Sequence, residues 1–230
     1  MVATTEEVLE LHGRVRKCTA CPLHLTRIQA VPGYGPATAR VMAVGEAPGE
    51  NEDREGKPFV GAAGRLLTSL LESVGLDRRD IYITNIVKCR PPRNRDPEPL
   101  EVEACSHYLD EQIGLLRPDV ILLLGRHALQ RLLPGAGGIS RLHGERVRRD
   151  DRVYVPLFHP AAALYNGGLK ETLEADMRRV RGYLADAEAT RARRAGGASA
   201  SDLRKVAAAA GGDQMDLVAA AAGGDQMDLF

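Results

Sequence analysis

The chain contains four cysteines, and their positions limit which of its segments can lie apart in the fold. Cys18 and Cys21 form a C-T-A-C pair near the N-terminus, whereas Cys89 and Cys105 lie in the middle of the chain. Residues 1–16 are polar and do not resemble a secretory signal, so four such thiols favour a metal or cluster site over disulfides. Four thiolates suit zinc or an iron–sulfur cluster. A shared site would hold the N-terminal segment against the middle of the chain.

Apolar segments of strand length alternate with amphipathic segments of helix length. Strands are predicted at residues 40–45, 81–87 and 119–125, near Val147, and at 153–158, and helices at 4–17, 61–74, 97–116, up to Leu133, and at 171–185. The run 119–125 is almost continuously apolar, which is typical of a strand covered on both faces. The alternation predicts an α/β fold, a three-layer α/β/α domain with a central, largely parallel sheet.

The composition changes near residue 187 to Ala, Arg, Gly, Ser and Asp. Residues 207–218 and 219–230 are a direct duplication that differs only in the last residue, Val218 against Phe230. Spacers rich in Ala and Gly bury too little apolar surface to fold alone. We therefore expect a folded domain at residues 1–186 and a flexible, disordered tail at 187–230 that presents two Q-M-D-L-[VF] motifs.

Charge and hydropathy exclude few partners. The chain has 31 basic and 31 acidic residues, hence a formal net charge of zero, so a DNA-binding face would have to collect its basic residues on one side. No apolar run reaches the roughly 18–20 residues that span a bilayer. These features favour a cytoplasmic protein that does not associate with membranes.

Five short motifs follow one another across residues 18–185. They are C-T-A-C, V-G-E-A-P-G-E, G-K-P-F-V-G-A-A-G, Y-I-T-N-I-V-K-C-R-P-P and F-H-P-A. In this order they resemble the family 4 uracil-DNA glycosylases, the iron–sulfur type of the uracil-DNA glycosylase superfamily. The resemblance implies a monomeric, nucleoid-associated enzyme of base excision repair. It would flip uracil out of single- or double-stranded DNA and hydrolyse the N-glycosidic bond, giving free uracil and an abasic site.

The resemblance also implies the cofactor. It places a [4Fe-4S] cluster on Cys18, Cys21, Cys89 and Cys105. Zinc is the alternative, because four thiolates also form a closed tetrahedral zinc site. In either case all four ligands come from the protein, so the expected role is structural.

The loop after the strand at 40–45 carries the first candidate site residues. Gly45 lets the backbone approach a ligand closely, and by resemblance the backbone amides near Glu46 and Ala47 bind the uracil. Glu46 and Glu52 are both candidates for the carboxylate that positions the attacking water. The acidic turn alone would be unremarkable without the companion motifs.

Further site residues follow at later strand ends, where sites of α/β sheets form. The resemblance implies that Phe59 stacks on the flipped base and that Asn85 hydrogen-bonds the N3–H and O4 of uracil. It implies that His159 donates a hydrogen bond to O2 and stabilises the departing uracil anion. Leu164 is the expected wedge that enters the DNA, although A-L-Y-N-G stands here where L-L-R-N-P is typical of the family.

Two further segments are candidates for contact with DNA or with a partner protein. Lys88, Arg90, Arg93 and Arg95 either follow DNA phosphates or form a solvated loop. The terminal Q-M-D-L-F resembles the pentapeptide that binds the bacterial sliding clamp. Its Gln226, Leu229 and Phe230 would contact an apolar groove and its edge, unless the tail is a product of repeat expansion without function.

Two other classes of protein stay open at this point. One is a non-catalytic iron–sulfur protein that binds nucleic acid and is recruited to replication. The other, more distant, is a zinc-dependent hydrolase of nucleotides. The combination of Glu46, Phe59, Asn85 and His159 favours the glycosylase, because a protein that only binds nucleic acid does not need a uracil-shaped pocket.

Overall fold

A computed structural model describes residues 4–209 of the chain, with side chains described through Arg193. The chain divides into two units, residues 1–188 and 189–230. Within the described residues, no helix combines the length and the apolar character needed to cross a bilayer.

Five strands form one sheet in the order β2-β1-β3-β5-β4. They are β1 (Val41–Gly45), β2 (Tyr82–Asn85), β3 (Val120–Leu124), β4 (Val147–Arg149) and β5 (Arg152–Leu157). β2, β1, β3 and β5 run parallel, and β4 pairs with β5 in the antiparallel direction. The predicted α/β fold with a largely parallel central sheet is therefore confirmed.

Helices cover both faces of this sheet. They are α1 (Thr5–Lys17), α2 (Glu50–Glu55), α3 (Ala62–Glu72), α4 (Pro99–Leu116), α5 (Arg126–Leu132), α6 (Ile139–Leu142), α7 (Pro160–Ala163) and α8 (Gly167–Ala209). Short 3₁₀ turns occur at Pro22–Leu25, Arg78–Asp80 and Pro92–Asn94. Thr4 caps the N-terminus of helix α1. Its side chain accepts a hydrogen bond from the N–H of Glu7, and the Glu7 side chain accepts one from the N–H of Thr4, which is a capping box.

Successive strand residues alternate between two apolar cores. Met42 and Val44 of β1 belong to the core that contains residues of α1, α4 and α5, whereas Val41 and Ala43 belong to the core that contains residues of α3 and α8. Neighbouring side chains of a strand point to opposite faces, so a strand covered on both sides must be apolar at every position. The three-layer prediction follows from this pattern and is confirmed.

The structure differs from the prediction at four helices, of which α6 and α7 are short helices of four residues that were not predicted. Helix α2 was not predicted, because its residues E-N-E-D-R-E carry no apolar periodicity. Helix α8 extends from Gly167 to Ala209, beyond the predicted 171–185, so the backbone is helical where the tail was expected to start. Residues 210–230, including both Q-M-D-L motifs, lie outside the described residues.

Candidate active site

A cleft of about 390 Å³ lies at the carboxyl ends of β1, β2 and β5. The predicted site residues that line it are Glu46, Ala47, Glu52, Phe59, Asn85 and His159. They come from separate segments of the chain, and the parallel strands bring them to one edge of the sheet. This is where the topology of an open α/β sheet leaves a crevice.

The floor of the cleft contains an amide oxygen without a partner. Asn85 is the last residue of β2 and pairs with Gly45 of β1. Its side chain is buried, and Oδ1 has no hydrogen-bond partner among the described residues. A Cβ at Gly45 would lie 2.4 Å from that oxygen, so the glycine is required there. A buried unpaired oxygen costs about 1–3 kcal/mol. A ligand with an N–H group at this point would recover that energy.

Phe59 is held in an unusual backbone conformation beside this oxygen. Its φ is 53°, in the left-handed region that non-glycine residues rarely adopt. Strain of this kind persists where the surrounding packing enforces it. Here Gly64 of α3 supplies that packing, since a Cβ at Gly64 would lie 1.8 Å from the carbonyl oxygen of Phe59. The close start of α3 thus fixes the aromatic ring in the cleft.

His159 is oriented by a backbone hydrogen bond. It caps the N-terminus of α7, and its Nδ1 accepts a hydrogen bond from the backbone N–H of Ala161 at 3.1 Å. Burial lowers the pKa of His159 to about 4, so the ring is neutral at pH 7. Because Nδ1 is the acceptor, the ring proton is assigned to Nε2. The neutral ring therefore offers an N–H donor to a ligand in the cleft.

The two candidate carboxylates differ in what they contact, and Glu52 is the more constrained. One of its oxygens accepts from the N–H of Gly49 at 3.1 Å. The other accepts from the N–H groups of Val60 and Gly61 at 2.9 and 3.0 Å. Glu52 therefore joins the loop after β1 to the segment that carries Phe59, which is a structural contact.

Glu46 is less constrained and lies half-buried in the cleft. Burial raises its pKa above the usual range for a glutamate, an effect that nearby His127 partly opposes. Glu46 Oε2 lies 3.6 Å from His127 Nε2, and Asp96 Oδ2 lies 3.4 Å from the same nitrogen. Of the two candidates, Glu46 is the one whose carboxylate is left available to bind water.

His127 and Asp96 were missed by the sequence prediction. One ligand atom from each of Glu46, Asp96 and His127 lies within 4.8 Å of the others. Such a set can hold a divalent cation, but the guanidinium of Arg126 pairs with Asp96 and opposes a second positive charge. His127 follows β3, so the rule that sites form at carboxyl ends of strands could have identified it. No local pattern points to Asp96.

The predicted wedge lies directly after α7. The side chain of Leu164 is 42% exposed and that of Tyr165 is 93% exposed. His159 caps the N-terminus of α7, so the cleft residue His159 and the exposed side chains of Leu164 and Tyr165 belong to one short segment. The position is compatible with insertion into DNA, and the role of Leu164 stays a prediction.

The four cysteines surround a second, smaller cavity. All four line it, and none forms a disulfide. Arg27 Nη1 donates to Cys89 Sγ at 2.9 Å, and the backbone N–H of Lys88 donates to Cys105 Sγ at 3.3 Å. Donors of this kind favour the thiolate form that a metal requires. The donor set therefore fits a thiolate-bound centre.

The predicted basic run does not form one phosphate-binding surface. Lys88 is buried, so the expectation that it contacts phosphates or solvent is wrong. Arg95 forms an ion pair with Glu101 at 2.7 Å, and Arg90 Nε donates to Asn94 Oδ1 at 2.7 Å. Of the four, Arg93 is exposed. Because most lysines are exposed, the polar run that contains Lys88 predicts a surface position for it, and this prediction is wrong.

Comparison with known proteins gives consistent results. Residues 32–180 match the family model described as the uracil DNA glycosylase superfamily. The type-4 uracil-DNA glycosylase of Saccharolobus solfataricus is 50% identical over 176 residues, which cover 73% of this chain and 82% of that protein. The type-4 enzyme of Thermotoga maritima is 48% identical, covering 71% and 86%. The type-5 enzyme of Thermus thermophilus is 37% identical, covering 60% and 66%.

Proposed function

The chain belongs to the uracil-DNA glycosylase superfamily, within its type-4 group, and on this premise we propose how the cleft acts on uracil in DNA. The protein is a uracil-DNA glycosylase. The unpaired Oδ1 of Asn85 is the observation that carries the proposal. It accepts the N3–H of a flipped uracil, while the amide nitrogen donates to O4. Cytosine has an acceptor at N3, so the same amide orientation leaves Asn85 unpaired and disfavours cytosine.

Catalysis then depends on charge that develops on the leaving base. Phe59 stacks on the uracil, and Nε2–H of His159 donates to its O2 as the glycosidic electrons move into the ring. A donor placed where negative charge forms is one of the largest catalytic effects known in enzymes. Glu46 holds the water that adds to the oxocarbenium-like sugar, and the proton that this water releases neutralises the uracil anion. The products are free uracil and an abasic site.

The experiment is release of free uracil from an oligonucleotide that contains one uracil. We expect release by the wild-type protein and a loss of about a hundredfold or more in Asn85→Ala, which lacks both hydrogen bonds in a buried pocket. Calorimetric binding of free uracil should weaken in parallel, while the melting temperature changes little. Absence of release by wild-type protein with intact metal content would instead support a non-catalytic nucleic-acid-binding protein.

We further propose that the four cysteines hold a [4Fe-4S] cluster. The chemistry of four thiols with N–H donors on two sulfurs supports a thiolate-bound centre. The resemblance of the chain to the iron–sulfur type of uracil-DNA glycosylases supports a [4Fe-4S] cluster over zinc.

The tail is proposed to recruit the enzyme to the sliding clamp. The support is the sequence alone, in which the Q-M-D-L-F motif at the C-terminus is preceded by a near-identical copy with Val218 in place of Phe230. Leu229 and Phe230 would enter an apolar groove while Gln226 hydrogen-bonds at its rim. Two copies on one tether raise the apparent affinity where a clamp offers several grooves.

A truncation tests this part separately. Deletion of residues 207–230 should abolish binding to a purified bacterial sliding clamp and leave uracil release from short oligonucleotides unchanged. Phe230→Ala is the narrower variant and should weaken binding while the first motif keeps a residual affinity. Unchanged clamp affinity after the deletion would refute the recruitment.

A further inference from the structure

Lys88 is buried in the core, and its ammonium group forms a complete set of hydrogen bonds. It is 1% exposed. Its Nζ donates to Thr84 Oγ1, to the carbonyl oxygen of Asn85 and to Gln112 Oε1, each at 2.7 Å. An ammonium group has three protons, so all of its donors are used. A charged group held this completely is fixed in position.

The amide of Gln112, whose oxygen accepts a hydrogen bond from Lys88, is also fixed in orientation. Gln112 Nε2 donates to the carbonyl oxygen of Pro32 at 2.7 Å and to Tyr82 Oη at 3.0 Å. These two bonds orient the amide so that its oxygen faces Lys88. The oxygen and the nitrogen of the Gln112 amide therefore both have hydrogen-bond partners. A buried polar network that is satisfied in this way is rigid.

The positive charge of Lys88 has no carboxylate beside it. The three groups that accept hydrogen bonds from its Nζ are a hydroxyl, a backbone carbonyl and a side-chain amide oxygen, and none of them is a carboxylate. A buried charge without a counter-charge is costly. The acceptors of Lys88 are neutral groups, so the charge must be balanced from further away.

The cysteine site is a source of negative charge near Lys88, as is the carboxylate of Asp110. Lys88 lines the cavity that the four cysteines surround, and its backbone N–H donates to Cys105 Sγ at 3.3 Å. It also directly precedes Cys89 in the chain. Cysteines that bind a metal or cluster do so as thiolates, so an occupied site is anionic. Lys88 and the guanidinium of Arg27 then flank a negative centre.

The same lysine contacts the residue that reads the base. Its bond to the carbonyl oxygen of Asn85 closes the turn between residues 85 and 88. The next two N–H groups, of Ile86 and Val87, donate to the carbonyl oxygens of Gly45 and Glu46 at 3.0 and 3.1 Å. The backbone at Asn85, the residue with the unpaired Oδ1, is therefore held by the side chain of Lys88 and by hydrogen bonds to Gly45 and Glu46.

We propose that Lys88 is a positioning residue that couples the four-cysteine site to the uracil pocket. Its ammonium group, balanced by the thiolates, holds Asn85 in the orientation that selects uracil. The site then contributes to base recognition without contacting the base. The inference rests on the proposed function, because it assigns Lys88 to the support of Asn85.

The test compares three variants of the full-length protein purified with its metal centre. Lys88→Met removes the charge and all three hydrogen bonds but keeps the length of the side chain. Gln112→Leu removes one acceptor and leaves the lysine. Leu122→Ala is the control, a buried truncation in the core on the opposite face of the sheet. For each protein we would measure the dissociation constant for free uracil, the ratio of uracil to cytosine excision, and the rate at which a chelator bleaches the centre.

The proposal predicts that all three readouts change together. In Lys88→Met the uracil dissociation constant rises about tenfold, as expected for the loss of a charged hydrogen bond that orients Asn85. The excision ratio falls, and the centre bleaches faster. Gln112→Leu shifts all three readouts in the same direction by less, and Leu122→Ala shifts none of them at a temperature where it is folded.

Other outcomes overturn the coupling. Uracil affinity in Lys88→Met equal to that of Leu122→Ala would remove the positioning role, even if bleaching were faster. Should Lys88→Met not fold, the same criterion applies to Gln112→Leu. If wild-type protein neither binds nor releases uracil, the proposed function itself fails, which is a different result from a wild-type protein that binds uracil and a variant that binds it equally well.

Discussion

The rings of Phe59 and His159 stack in the cleft, with their centroids 5.7 Å apart and their planes inclined by 28°. One face of the imidazole is thereby covered, and its Nδ1 is occupied by the backbone N–H of Ala161. These two contacts leave Nε2 as the ring atom directed to a ligand. Phe59 thus helps to fix the orientation of the His159 donor.

His159→Ala should lower the single-turnover rate of uracil release by about 100- to 1000-fold, the usual effect of removing one donor to a developing anion. His107→Ala, an exposed histidine of α4, is the control and should keep the wild-type rate.

The pH dependence tests the protonation state of the same residue. Because burial lowers the pKa of His159 to about 4, the neutral ring persists at every pH above that value. The rate should therefore show no loss attributable to His159 as pH rises from 5 to 8. A loss centred near 6.5 in wild-type protein that disappears in His159→Ala would contradict the neutral donor.

Glu46 and Glu52 should give opposite results when each is changed to glutamine. Glu46→Gln should lower the rate of uracil release and leave the fold intact. Glu52→Gln should lower the free energy of unfolding by about 2 kcal/mol, because three backbone N–H groups lose a charged acceptor. Single-turnover kinetics and thermal melts of the two variants distinguish these effects. A stable but inactive Glu52→Gln would reverse the assignment.

The difference in stability between wild type and Glu46→Gln should depend on pH. Burial raises the folded-state pKa of Glu46, so its contribution to stability is present below the unfolded pKa and is lost as pH rises through the folded pKa. Glu46→Gln escapes that loss. We expect its melting temperature to exceed that of wild type above neutral pH and to match it in acid.

Two glycine-to-alanine changes should have opposite signs. Gly64→Ala places a Cβ against the carbonyl oxygen of Phe59, so unfolding should become easier by about 3 kcal/mol and the KM for uracil-containing DNA should rise. Gly13→Ala lies inside α1 with no atom within 4 Å, so it should stabilise the protein by about 0.5–1 kcal/mol. Denaturant melts measure both. Equal effects would mean that the contact at Phe59 can relax.

Purified protein should be brown and contain about four iron atoms per chain, as a [4Fe-4S] cluster requires. Cys105→Ala should lose both the colour and the iron, because it removes one of four ligands. Iron and zinc analysis of the two proteins is the measurement. A colourless wild-type protein with one zinc per chain would favour the alternative site.

The sheet and the gathering of the site were predictable because each depends on a pattern that repeats. Continuous apolar runs predict strands that are covered on both faces. The carboxyl ends of parallel strands lie at the same edge of the sheet, so residues that follow these strands come together. Helix α2 was not predictable in this way, since six polar residues give no periodicity. It forms because Glu52 caps its own helix and reaches the backbone of Val60 and Gly61.

The parts of the site that escaped prediction depend on tertiary contacts. The sequence does not distinguish Glu46 from Glu52 as the carboxylate that positions water. The structure does, because Glu52 accepts hydrogen bonds from three backbone N–H groups. The environment of Lys88 depends on Gln112 in another helix. His127 approaches Glu46 from a different strand end. No spacing within one segment encodes such encounters.

The edges of the sheet have a consequence for how copies of the protein meet. At one edge, β4 is three residues long and ends in Arg148 and Arg149, and at the other edge Tyr34 forms a bridge to Ile83 of β2. Short, charged or covered edges do not offer a template to a strand from another molecule. In the described part of the chain, strand addition between copies of the protein is thus disfavoured at both edges of the sheet.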